Sequence, residues 1–473
     1  MTIIPFPTSS RPGSHPVLGQ GRLVNAHAVR EGDKVYWRRV AGMKIFADPL
    51  NFSGLYHGPR GLFQLNNDVL WIFKDRAARV DYQGKTTLLS GEVNGAVPAT
   101  VARNNREDTD YVIVSNNTAY MISGNTVVEY DAKGGSVGSP NDVSMLDGYF
   151  LFTYQDGTVI ASELNSTEIN SLSSWRAEST PDKLLRGMVS GQLFYAFGTA
   201  SIEVLQDVGT APFPLARQAV IPVGLIGKWA VAGGAVEGWD RDLLFVAQDG
   251  TVRLLSGYQT QTVSIPDVTR DIRSVADKDT LIASVYVMGE NAFWSLSSPN
   301  WTWEYNVTTG EWHQRKSNRK QRWRAAYSVY VQGKWIVGDT ESGKLFELSD
   351  RILTEDTEPL VFEVESDAVK GFPSRVQCRR ADFDLNVGYG REIGLDPVET
   401  EPLIEISWSD DGGVSWSNPL HRRLGREGQY QTLTSVLNTG MSAAQGRKWK
   451  LRVSDPVPVT LAGGVQEAKV GLY

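Results

Sequence analysis

At 473 residues the chain is too long for one compact core, so two or three domains are expected. Its 41 % hydrophobic and 21 % charged residues are those of a globular protein, and a net charge of −7 argues against a general polyanion binder. Cys378 is the single cysteine. That excludes an internal disulfide framework and a multi-cysteine zinc site, and with no signal-peptide or membrane-span pattern it leads us to expect folding inside a cell.

Residues 1–60 carry eight Lys/Arg against Glu31, Asp33 and Asp48. Pro5, Pro7, Pro12 and Pro16 oppose regular structure at the very start. This predicts an N-terminal arm with the first strands attached, extended toward a partner.

From 61 to 350 one rhythm recurs: a strand, a turn of Asp/Asn/Gly/Thr type, a second strand. The clear copies are Asp156-Gly157-Thr158 and Asp249-Gly250-Thr251, with Ser342-Gly343-Lys344 weaker. Gly157, Gly250 and Gly343 are spaced by 93 residues each. Asn117-Thr118, Gly198 to Ile202, Asn300 to Trp303 and an eroded copy at Arg76–Val80 bring the hairpins to seven. A period of about 45 residues is one four-stranded blade, so 61–350 reads as a β-propeller of about seven blades, six being the other count the spacing allows. The one helix expected lies near 165–175, with Asn165 as cap and Glu168 reaching back. Trp301, Trp303 and Trp312 read as aromatics packed between blades.

An acidic linker is expected at 350–362. The remainder of 351–473 predicts an antiparallel β-sandwich with strands near 360–367, 375–386, 402–409, 430–434, 447–454 and 465–472. Within it, Ser409, Asp411, Gly413 and Trp416 fit the Asp-box pattern S-x-D-x-G-x-x-W. The carboxylate bonds nearby backbone N–H groups, Gly supplies φ > 0 and Trp416 folds back as an apolar plug; the four are expected to be a structural turn.

Chemistry is sparse. The five histidines have no metal-ligand spacing, no Gly-rich phosphate loop precedes a helix, and no cofactor or metal is expected. Asp-boxes are familiar from sialidase-type propellers, and Glu203, Asp240 and Asp242 sit where blade ends are expected. A glycosidase, however, would repeat the box blade after blade, and here it falls once, outside the propeller. Asp240-Arg241-Asp242 reads as a turn with a local ion pair. The densest basic run is Arg315, Lys316, Arg319, Lys320, Arg322 and Arg324 around Trp323. It is a candidate for DNA or partner contact through phosphates, with Trp323 stacking on a base. A solvated loop or a salt-bridged subunit contact is the alternative.

Trp175 to Asp182, reading W-R-A-E-S-T-P-D, then Leu193 to Phe197 and Gly198 to Glu203, together with Lys448 to Val453 and Asp455 to Leu461, resemble the packaged-DNA stabilisation proteins of short-tailed phages. The segment Gly21–Asp48 is more loosely similar to that family's arm, and the strong Asp-box departs from it. The resemblance implies a non-enzymatic tail hub or nozzle protein of the virion. It implies a homo-oligomeric ring, six-fold by expectation, beneath portal and adaptor proteins, which closes the channel on packaged DNA and carries tail fibres or spikes. No catalytic residue and no membrane contact carry over. A receptor-binding or fibre-attachment tail protein is the runner-up reading.

Overall fold

The structure, a computed structural model, describes all residues except 16–17, 49–57, 131–135, 178–181, 391–396 and 471–473. The fold is all-β: a seven-bladed propeller followed by a sandwich. The blades are antiparallel meanders in chain order. The first runs from Pro59–Leu65 to Thr86–Leu88, the second from Thr100–Arg103 to Thr126–Glu129, and the third from Asp142–Leu146 to Ile169–Arg176. Leu184–Ser190 to Leu215–Ile221, Val231–Gly233 to Gln259–Thr262 and Ile282–Met288 to Glu311–Gln314 make the fourth, fifth and sixth. Blade seven takes three strands from 325–349, and its outer strand, Gly42–Ala47, comes from the N-terminal segment.

All seven hairpins expected from the sequence are the turns between second and third strands, one per blade. The 93-residue spacing is therefore two blade repeats, linking blades three, five and seven. Gly157, Gly250 and Gly343 have φ of +91°, +83° and +69°, the left-handed region a side chain would resist. Asp156 and Asp249 accept the backbone N–H of Thr158 and Thr251 at 3.0 and 2.9 Å, closing the same turn twice.

The second strand of each blade does not alternate, because a blade has a neighbour on both faces. Asp68–Phe73 is buried throughout, with Trp71, Ile72 and Phe73 wholly inaccessible. Each seam between blades holds its own apolar cluster. Tyr195, Phe197 and Val204 meet Val231 and Phe245 between blades four and five, and Tyr286 and Phe293 meet Trp335 and Phe346 between six and seven. Truncating one such aromatic costs about 3–5 kcal/mol, whereas an exposed ion pair contributes about 0–1 kcal/mol. Apolar seams, not surface charges, hold the ring closed.

The expected helix at 165–175 is absent. Ile169–Arg176 is the outer strand of blade three, paired with Thr158–Ser162; Ile169 and Ser173 face inward, and tertiary pairing overrides the cap pattern. The nine-residue helix Pro266–Ser274 instead joins blades five and six, starting on a proline and burying Val268 and Ile272. Trp303 donates to its Asp271 at 2.9 Å.

The N-terminal segment is no free arm. Arg22–Val24 runs parallel to the outer strand of blade six and antiparallel to Phe362–Glu365, so one nine-stranded sheet passes from propeller into sandwich. It continues through Lys448–Val453 and Leu403–Ser409 to Leu420–Arg423. The second sandwich sheet is Ala26–Glu31, Lys34–Arg39, Thr460–Val470, Val376–Leu385 and Thr434–Met441, with Thr2–Ile3 also paired to Thr460–Val470. Trp449, Phe362, Phe383, Ile404 and Ile406 fill the space between the sheets. The strand expected at 430–434 begins only at Thr434, where Phe383 sets its register; Tyr430 and Leu433 are exposed. The expected linker is itself paired: Thr354–Glu355 runs parallel beside Gly42–Ala47. The segment's basic residues are used internally. Arg39, for example, is buried and donates to the Val453, Asp455 and Val457 carbonyls at 3.0–3.2 Å.

Asn25 is the pivot, fully buried at φ +51°. Its amide donates to the Lys316 and Val361 carbonyls at 2.8 Å, and its oxygen accepts from Lys316 N–H at 2.9 Å. Asn25→Ala is expected to cost about 3 kcal/mol through unpaired groups and left-handed strain. Asn438→Ala, at an exposed left-handed position, should cost only about 1 kcal/mol. Urea unfolding midpoints check the contrast.

Candidate contact run and the interior beneath it

The basic run joins the outer strand of blade six to the inner strand of blade seven, and the fold divides it. Arg315 is wholly buried, 3.5 Å from Glu304. Its guanidinium lies 3.8 Å from the ring centroid of Trp323, which is itself buried. Arg324 donates to Asp339 at 3.0 Å and reaches its second oxygen as well. Arg315 cannot meet a DNA phosphate and Trp323 cannot stack on a base, because both are buried; Arg324 is half-buried and already paired. Arg322 is half-buried and donates to its neighbour's carbonyl at 2.9 Å; Lys316 is half-buried too. Arg319 and Lys320 are exposed, with Lys320 3.0 Å from Glu341. The accessible part of the run shrinks to one turn at 319–320.

Beneath it lies a charged interior that no motif announced. Tyr286 donates to Glu304 at 2.9 Å, His313 meets the other oxygen at 2.9 Å, and Arg315 donates to Tyr286 at 2.6 Å and to the Ala41 carbonyl at 2.6 Å. Burial opposes the Glu304 charge, but Arg315 and the His313 bond outweigh it and hold its pKa below the ordinary value. Burial, then His313, pushes His27 down to about 3, so it is neutral. Tyr286 is raised well above 10 by burial. Tyr286, Glu304, His313 and Arg315 come from blade six and its edge, His27 and Ala41 from the N-terminal segment, and each alone reads as an ordinary residue of a β-protein. They tie blade six to the N-terminal segment.

Glu355 is also wholly buried, and neither oxygen closes a hydrogen bond; the Ser317 hydroxyl and Trp323 indole face it without reaching one. Burial pushes its pKa to about 7, against the pull of Arg315 and Arg324. The fold then keeps a proton that the unfolded chain releases from about 4.5 upward, so stability falls as pH rises from 4.5 to 7 and levels off above. Glu355→Gln should equal the natural protein near pH 4 and exceed it by about 3 kcal/mol at pH 8. Unfolding midpoints at the two pH values check this.

The Asp-box forms the turn between Leu403–Ser409 and Leu420–Arg423. Asp411 accepts from the N–H groups of Val414 and Ser415 at 3.0 Å, and the Ser409 hydroxyl donates to it at 2.7 Å. Ser409 accepts from Gly413 N–H at 2.8 Å, and Gly413 sits at φ +102°. The Ser415 hydroxyl bond comes first in holding the Asp411 pKa below the ordinary value. Trp416 is not the expected plug: it is half-buried, with the Lys450 ammonium 3.9 Å from its ring centroid. Of the acids weighed for sugar chemistry, Glu203 is buried and paired with Arg217 at 3.1 Å. Asp240 and Asp242 lie in a connection of blade five, where the Asp242 carbonyl accepts from Trp239 at 3.1 Å; the ion pair expected there does not form among the described residues. Asp411→Ala should speed amide exchange at 413–415 at least tenfold while leaving the melting of the propeller unchanged, as hydrogen–deuterium exchange would register.

Residues 26–353 match the family described as bacteriophage P22 Gp10, beta-propeller, and residues 374–469 match its beta-sandwich counterpart. No curated protein matches the chain. Among solved structures, a streptogramin B lyase is similar at 12 % identity and a TM-score of 0.44, covering 65 % of this chain and 97 % of that one. The WD40 β-propeller domain of Doa1 has 12 % identity and a TM-score of 0.43, with 65 % and 96 % covered. Virginiamycin B lyase from Staphylococcus aureus has 12 % identity and a TM-score of 0.44, with 62 % and 94 % covered. Likeness at that level carries no argument about activity.

Proposed function

Because the chain belongs to the bacteriophage P22 Gp10 family through both its propeller and its sandwich, and is a phage structural protein, we propose that it is a tail hub or nozzle subunit that retains packaged DNA. The observation that carries this reading is the continuous sheet from blade six through Arg22–Val24 into the sandwich. Two rigid bodies joined edge to edge by backbone hydrogen bonds transmit load without a hinge. That suits a ring holding back DNA under pressure. Cyclic copies would repeat one heterologous interface, six-fold by our proposal, with portal and adaptor above and fibres or spikes attached. The role is mechanical, with no catalytic step. Within the basic run, Arg319 and Lys320 are the groups left to face DNA or the adaptor.

Virus particles assembled without this protein should lose their DNA, read as genome accessible to nuclease. Particles carrying Arg319→Gln with Lys320→Gln should retain DNA less well as salt rises, because fewer phosphate contacts remain. Full retention in particles lacking the protein would overturn the hub reading. Full retention in the double variant alone would overturn only the contact assignment.

A further inference from the structure

The seven innermost strands enclose a central cavity of about 420 Å³. In an up-and-down meander, each innermost strand begins on the same face of the propeller. Near that face three of the seven carry a one-residue bulge: between Pro59 and Gly61, Leu184 and Arg186, and Ala326 and Ser328. A bulge re-aims the side chains around it. The displaced residues are Arg60, Leu185 and Tyr327, and Tyr327 sits at φ +57°, costly for an aromatic. Bulges repeated at one level of a channel, one of them strained at Tyr327, point to a built site.

What the bulges gather is positive charge. Arg60, Arg186 and Arg322 all act electrostatically on the Tyr327 phenol. Lys228 stands beside them, 4.5 Å from the centroid of the Trp229 ring and bonded to the Asn141 carbonyl. Arg60 is buried and spends its donors on carbonyls, at 2.7 Å to Val93 and Val97, and on Ser115, none of them charged. The acidic groups facing this cluster are few. Asp142 lies 3.8 Å from Arg186 and accepts from Gly187 N–H at 2.8 Å. Asp75 faces Arg60, Asp279 faces Lys228, and Glu341 faces Arg322 while already paired with Lys320. Arg322 Nη2 is buried and closes no hydrogen bond, and neither does Arg186 Nε, whose nearest acid is Asp142 at 3.8 Å. Charged donors left without a hydrogen bond indoors are costly. The far end of the cavity differs: there Arg103 pairs with Glu237 at 3.7 Å.

We propose that this mouth of the propeller channel binds a tetrahedral oxyanion of the phosphate class, held by Arg186, Arg322 and the Tyr327 hydroxyl. Guanidinium forks match such oxygens in pairs, which a spherical halide cannot exploit. The site lies in the propeller's own channel, is built from one chain, and stands apart from the exposed turn at 319–320, so it does not depend on the hub reading.

Inorganic phosphate titrated into the purified full chain at constant ionic strength, with chloride as the balancing anion, should raise the melting midpoint saturably and change the tryptophan fluorescence through Trp229. Arg186→Gln and Arg322→Gln should each weaken binding about tenfold, and Tyr327→Phe should weaken it severalfold. Arg103→Gln, at the far end, should leave it unchanged. If Arg186→Gln does not fold, the other two variants carry the comparison. A short oligothymidylate that competes would assign the phosphate to a nucleic-acid strand; phosphate binding without competition would assign it to the free ion. No saturable response to phosphate, or equal affinity in folded Arg322→Gln and Tyr327→Phe, would overturn the proposal.

Discussion

Everything in this molecule depends on where the first 47 residues go. A propeller is a ring with a gap until its last blade is complete, and here the missing strand is Gly42–Ala47, hydrogen-bonded to Leu345–Ser349. Closure brings together chain ends some three hundred residues apart, so its loop entropy is met once, by backbone bonds and the Met43 side chain in the last seam. The same segment supplies Arg22–Val24, which joins blade six to the sandwich, and the hairpin Ala26–Arg39, which enters the other sandwich sheet. The ring and the sandwich therefore share an element that neither could lose alone.

Such sharing demands close approach. Gly42 has the Ile352 and Thr354 carbonyls where a Cβ would lie, at 2.3 and 2.5 Å, so the crossing of the later chain over the early strand leaves no room for a side chain. The buried charges sit at the same junction. Glu304, His313, Arg315 and Tyr286 satisfy one another beneath Ala41, where a purely apolar seam would leave the Ala41 carbonyl without its 2.6 Å donor. Glu355 stands next to this network with neither oxygen hydrogen-bonded, which makes it the soft point of the joint.

The phage family to which the chain belongs agrees with a molecule whose strength lies in connectivity. Its charges follow two rules. Arginines at junctions between elements turn inward to carbonyls and carboxylates, as Arg39, Arg315 and Arg324 do. At the channel mouth Arg60 likewise turns to carbonyls, whereas Arg186 and Arg322 have no carboxylate within hydrogen-bond distance of the buried Nε and Nη2 atoms. A linear count of basic residues cannot tell these groups apart.

The sequence by itself determined the repeat. Turn chemistry is local: an Asp or Asn that bonds its own backbone and a Gly at positive φ mark a hairpin wherever it lies, so all seven second-to-third-strand turns were legible, and with them the all-β class and a blade number of six or seven. The Asp-box was legible for the same reason in its Asp411 bonds to backbone N–H and its left-handed Gly413, though not in its Ser409 bonds. Family resemblance was carried by residues at the middle and end of the chain, although 178–181 of the W-x-A-E-S-x-P-D stretch lie outside the described residues. Tertiary structure alone decided which strand completes blade seven, that Ile169–Arg176 is an edge strand and not a helix, and which members of the 315–324 run reach solvent. The first depends on a partner some three hundred residues away, the other two on pairing and burial within and between blades. Burial and long-range pairing are set by the whole fold, and no local pattern of charges or caps encodes them.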